Sequence, residues 1–83
     1  MYILTDHAKR MMKARKITQE DVKKAVESGE LEFTKIDEKG RGTERYQSIE
    51  LKGPFPRKIV VGWAYEGENI KVITVYEIKR KWR

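Results

Sequence analysis

The 83-residue chain has no cysteine, one histidine, two prolines and, by count along the sequence, three Asn and Gln residues in total. Without cysteine there is no disulfide framework, no thiolate nucleophile and no metal site built on sulfur, so packing alone must hold the fold. No run of about 18 apolar residues occurs, and the opening MYILTDHAKR lacks the apolar stretch of a secretory leader. These absences predict a cytoplasmic chain without a membrane partner. The length suits one small domain over residues 1–83.

Negative charge is also scarce: 19 Lys and Arg stand against 13 Asp and Glu, for a net charge of +6. The corresponding pI near 9.7 lies in the range of nucleic-acid-binding domains and makes RNA or the ribosome an expected partner. A highly charged solvated surface would give the same figure. Abundant Lys and Glu with few Asn and Gln is moreover a balance found in thermophile proteins. The positive excess gathers at the two ends of the chain, in Lys9, Arg10, Lys13, Arg15 and Lys16 and in Lys79, Arg80, Lys81 and Arg83.

Residues 1–4 are short and apolar and suit an edge strand. Thr5 or Asp6 then supplies the oxygen that caps a helix, since a short polar side chain accepts from the orphan N–H groups of a first turn. Ala8, Met11, Met12 and Ala14 lie on one face of that helix, which is expected to end near Lys16. Thr18 and Asp21 form a capping box with the shorter acid, and Val22, Ala25 and Val26 recur at helical spacing until Gly29 closes the second helix. From Leu31 the period becomes alternating. LEFTKI, TERYQSIEL, RKIVVGWAY and KVITVYEI read as strands, the last two joined by a turn at Gly67-Glu68-Asn69. The sequence therefore predicts an α+β fold with two N-terminal helices packed on a three- to four-stranded antiparallel sheet.

Within RKIVVGWAY, Val60, Gly62 and Ala64 are small and would let a helix approach, whereas Ile59, Val61, Trp63 and Tyr65 are bulky and alternate with them. If the helices cover the small face, the aromatic face needs a C-terminal segment, a second chain or a nucleic acid over it; alternatively, Trp63 and Tyr65 complete the core. Two registers of the hairpin remain open, one pairing Trp63 with Val72 and Tyr65 with Ile70, the other pairing Trp63 with Ile73.

Thr5, His7-Ala8, Arg10-Met11, Arg15 and Ile17 fit an opening T-x-H-A-x-x-R-M-x-x-R-x-I, Arg45-Tyr46 a central R-Y, and residues 72–76 a closing V-I-T-V-Y. On these motifs the chain resembles the small bacterial and archaeal family called domain of unknown function 4258, over nearly its whole length. That family in turn is distantly similar to the RelE/ParE-like toxin superfamily. The resemblance implies a RelE/ParE toxin-like layout, a toxin-like protein acting on messenger RNA or the ribosome, an acidic antitoxin as partner, and a metal-independent endoribonuclease as the possible enzyme. It also implies that active groups project from the sheet and the chain's end, which favours Arg45, Tyr46, Tyr76, Arg80 and Lys81 over His7.

The residue types agree with that chemistry. Cleavage of RNA without a metal needs a base for the 2′-hydroxyl, an acid for the leaving oxygen and cations for the phosphorane. Arg45, Tyr46, Tyr76, Arg80 and His7 are the catalytic candidates, and Arg10, Lys58, Trp63, Tyr65, Lys71 and Lys81 are the candidates for binding nucleic acid. No cofactor or metal is expected, because His7 has no second histidine or cysteine to join it. His7 itself lies at the edge of the apolar stripe and reads as a structural residue bonded to a strand backbone, as a site residue or as a lone metal ligand. Arg15 falls near the middle of the stripe and reads as structural, paired with Glu20, Asp21 or Glu44, while Thr5 is the structural cap. The rival functions are a non-catalytic interaction module, as a homodimer or through a partner-binding sheet, and an RNA-binding domain that does not cut.

Overall fold

The computed structural model describes residues 1–36, 42–53 and 56–78. The chain runs β1 (Tyr2–Leu4), α1 (Asp6–Arg15), α2 (Gln19–Ser28), β2 (Glu30–Ile36), β3 (Thr43–Leu51), β4 (Arg57–Glu66) and β5 (Asn69–Ile78). The strands form one five-stranded sheet in the order β1-β5-β4-β3-β2. This corrects the expected sheet of three to four antiparallel strands: β2 to β5 form an antiparallel meander, and β1 adds a fifth, parallel strand beside β5 through Tyr2↔Ile70, Ile3↔Lys71 and Leu4↔Val72. The opening residues suit an edge strand, but three residues carry too little periodicity to give its direction or neighbour, which are set by partners almost 70 positions away. The fold remains α+β.

Thr5 explains how β1 passes into α1. Its N–H donates to the Val72 carbonyl at 3.1 Å, its hydroxyl donates to the Ile73 carbonyl at 2.9 Å, and the same oxygen accepts the Ala8 N–H at 3.1 Å. One side chain thus caps the helix and seats it on β5, where β1 has ended. At the other end Lys16 turns left-handed at φ 54°, and its N–H reaches the Lys13 and Met12 carbonyls. The expected capping box of α2 forms in both directions, Asp21 N–H to the Thr18 hydroxyl and Thr18 N–H to the Asp21 carboxylate, each at 3.1 Å. Gly29 ends α2 without a positive φ; a β-carbon there would overlap the Ala25 carbonyl.

The β4–β5 hairpin adopts the register Trp63↔Val72 and Tyr65↔Ile70, closed by Gly67 at φ 61°, a left-handed geometry that favours glycine. The ladder shifts between Gly62 and Trp63, so that Gly62 faces Thr74, Trp63 faces Val72, and Ile73 is the extra residue of a bulge. The bulge brings Val72 and Val75 to the same side of β5. The helices cover that side, together with Ile59, Val61 and Trp63, rather than the small-residue face of β4. The close approach comes from the helices' own small residues: Ala8 and Ala25 are fully buried and let the backbones sit down on bulky strand side chains. Trp63 completes this core, with its indole N–H donating to Gln47 Oε1 at 2.6 Å.

Arg15 and Ala14 are both exposed, and no ion pair joins Arg15 to Glu20, Asp21 or Glu44 among the described residues. At the tenth helical position Arg15 already projects past the packed surface. Arg57 holds the α1 end instead: its guanidinium donates to the Arg15 carbonyl at 2.5 Å and the Lys16 carbonyl at 3.0 Å, and pairs with Glu77 at 3.0 Å. None of the described helices is long and apolar enough to cross a membrane.

Candidate nucleic-acid interface

Alternation along β3 sends neighbouring residues to opposite faces, and this divides the expected Arg45-Tyr46 pair. Arg45 lies on the helix-covered side, beyond the end of α2, with its guanidinium carbon 5.5 Å from the Trp63 ring centre and 5.4 Å from that of Tyr65. Trp63 and Tyr65 meet edge to face at 5.0 Å, Trp63 buried and Tyr65 62% exposed. A ligand can therefore reach Tyr65 there, but not the indole.

Glu44, Tyr46 and Ser48 project from the other, helix-free face. The Tyr46 ring lies over Gly62, filling the space that a β-carbon would take, and stacks on Phe33 with centres 4.4 Å apart and planes 10° apart. Lys35 reaches over the same ring, its ammonium 5.5 Å from the centre. Only 6% of Tyr46 is exposed, against 42% of Phe33. Phe33 is the accessible ring of the stack.

Next to the stack, Val60 faces Tyr76 across the β4–β5 ladder and Gly62 faces Thr74. His7 reaches the same face from α1: its Nε2 lies 3.2 Å from the Thr74 hydroxyl. The imidazole is exposed and meets a side chain rather than the strand backbone expected for a structural histidine. Arg10, one helical turn further on, is also exposed. Three separate segments thus bring His7, Tyr46, Thr74 and Tyr76 to one face, while Arg45, Trp63 and Tyr65 belong to the other.

Charge on the open face is mixed. The Glu32 carboxylate accepts from the Ser48 hydroxyl at 2.6 Å and pairs with Lys58 at 3.2 Å. The Ser48 hydroxyl, and after it Lys58, hold Glu32 below the usual carboxylate range. Lys71 pairs loosely with Glu66 at 3.9 Å. Burial, and then the hydrogen bond to Glu44 at 2.9 Å, push the Tyr46 hydroxyl up to about 12. Burial and the nearby Glu32 charge raise Tyr76 as well. Both phenols therefore stay protonated at neutral pH and act as hydrogen-bond donors, not as bases.

Phe33 and Thr74 are not singled out from the sequence, and Glu44 and Gly62 are read there only as a partner for Arg15 and as a small residue beneath a helix. The alternation of Glu44, Tyr46 and Ser48 and the lone glycine within an apolar strand were the available signals for the latter two. Arg80 and Lys81 lie outside the described residues. Among the described residues no group of three or more His, Asp or Glu side chains is placed to hold a metal ion.

Residues 4–77 match the family model described as Domain of unknown function (DUF4258). No curated protein and no solved structure matches the chain.

Proposed function

The chain belongs to the DUF4258 family, and on that premise we propose that it is a toxin-like protein that engages single-stranded RNA, free or on the ribosome, through its open sheet face. The observation that carries the reading is the Phe33–Tyr46 stack seated on Gly62, with His7, Thr74 and Tyr76 beside it. Stacking on an exposed ring is sequence-tolerant and contributes roughly 1–3 kcal/mol per base. Lys35 and Lys58 supply cations on the ring face, Arg10 is exposed on α1, and the net charge of +6 draws the phosphates in. Tyr76 can donate a hydrogen bond to the bound strand, while the Tyr46 hydroxyl is spent on Glu44. His7 is the proton-transfer group if the bound strand is cut, and an acidic antitoxin would compete for the same positive charge.

Fluorescence anisotropy with a labelled single-stranded RNA at low and moderate salt tests the binding. Affinity should fall as salt rises, and Phe33→Ala should weaken it by roughly fivefold or more. No binding, or equal affinity for Phe33→Ala, removes the reading. Incubation with translating ribosomes and mapping of message ends then separates cutting from binding: new ends that vanish in His7→Ala mark a nuclease, and binding without new ends marks a non-cutting protein.

One observation favours a second reading, a protein-interaction module. Every residue of the edge strand β2 is exposed, with Leu31 at 54% and Ile36 at 77%. A homodimer or partner would cover this edge, and light scattering across a concentration series would reveal the dimer.

A further inference from the structure

On the open face, beyond the ring stack, Glu44, Ala64, Lys71, Glu66 and Ile73 line a groove of about 490 Å³. Ala64 and Ile73 give it apolar walls suited to the flat of a ring. Glu44 is half-buried, and its Oε1 accepts from the Tyr46 hydroxyl at 2.9 Å, while its Oε2 takes a hydrogen bond from no described residue. The tyrosine thus fixes the carboxylate and leaves acceptor capacity facing the groove. Among the described residues, the carboxylates of Glu44 and Glu66 are balanced by the ammonium of Lys71, 3.9 Å from Glu66, and by Lys35, the cross-strand partner of Glu44.

With the carboxylates matched by lysines, charge at the groove singles out neither a phosphate nor a cation. The fixed acceptor edge of Glu44 between apolar walls suits instead a neutral planar group with hydrogen-bond donors along one edge. Among the nucleobases, guanine presents two adjacent donors, N1–H and N2–H, which match the two oxygens of one carboxylate. Adenine and cytosine offer one exocyclic amine next to an acceptor, and uracil offers a single N–H between two carbonyls.

We propose that this groove is a guanine-selective subsite of the open face, with Glu44 as the residue that reads the base edge. The inference rests on the RNA reading above and names the base it prefers. Lys71 is placed to meet the adjoining phosphate once it leaves Glu66.

The test uses the intact chain and four labelled decamers of uridine that carry G, A, C or U at one central position. The G decamer should bind roughly tenfold tighter than the other three, as expected for a bidentate base contact. Glu44→Gln, which keeps the side-chain shape, should bring the G-to-A affinity ratio close to one. Tyr46→Phe, which retains the ring but frees Oε1, should keep the ratio above one. Binding of all four decamers with equal affinity overturns the guanine subsite and leaves the RNA reading standing, as does an unchanged ratio in Glu44→Gln. Binding of none of them overturns both. Displacement of every decamer alike by spermidine at equimolar concentration would assign the groove to cations and also overturn the proposal.

Discussion

The ring of Tyr46 stands where a side chain at position 62 would go: a β-carbon on Gly62 would come within 2.5 Å of Tyr46 Cε2 and 2.9 Å of Thr74 Cγ2. Gly62→Ala should therefore push the ring off its seat and break its stack on Phe33. The expected loss is about 1–3 kcal/mol, typical of overpacking. In a domain of this size that lowers Tm by roughly 4–8 °C per kcal/mol in a thermal scan. An unchanged Tm would mean that the stack forms without the glycine.

Arg57 and Arg15 divide what the sequence assigned to one residue. Arg57→Ala removes the donor to two helix-end carbonyls and the partner of Glu77, and should cost about 1–3 kcal/mol in urea unfolding. Arg15→Ala should stay within roughly 0.5 kcal/mol of wild type, since its side chain is exposed. Equal losses would refute the assignment of the α1 end to Arg57.

At alkaline pH the Tyr46 hydroxyl should be the last phenol to ionise. Its folded value of about 12 lies above the ordinary 10.0, so the folded chain favours the neutral form. That contribution is complete below the unfolded value and disappears as pH rises from there through the folded one. Phenolate absorbance followed against pH should lose its highest phase in Tyr46→Phe. If the phase persists in that variant, another tyrosine carries it.

At acid pH the direction reverses for Glu32, whose carboxyl is held below its ordinary 4.5 by Ser48 and Lys58. A lowered folded value contributes stability above the unfolded value, which is lost as pH falls through the folded one. Urea midpoints measured from roughly pH 5 down to pH 2 should drop more gently in Glu32→Gln than in wild type. Parallel curves would show that the carboxylate does not couple to folding.

Features fixed by neighbours a few positions apart could be read from the sequence: the Thr18–Asp21 capping box, the Thr5 cap, the four longer strands and the turn at Gly67. Features fixed at a distance could not. The parallel seat of Tyr2–Leu4 depends on residues 70–72, and the side facing the helices depends on a one-residue bulge at Ile73 that no alternating pattern reveals. Arg45 and Tyr46 of the R-Y motif each have aromatic and charged neighbours. The period of two places them back to back, so a shared catalytic role for Arg45 and Tyr46 would need a ligand on both faces of the sheet.

The parallel pairing of β1 with β5 also orders events in time. During synthesis, Tyr2–Leu4 and α1 are made well before the strand on which both rest, Asn69–Ile78. Helix α1 therefore waits with its apolar stripe unburied until Asn69–Ile78 has been made, whereas α2 can settle earlier on β3 and β4, and the sheet gains β1 across a long sequence separation.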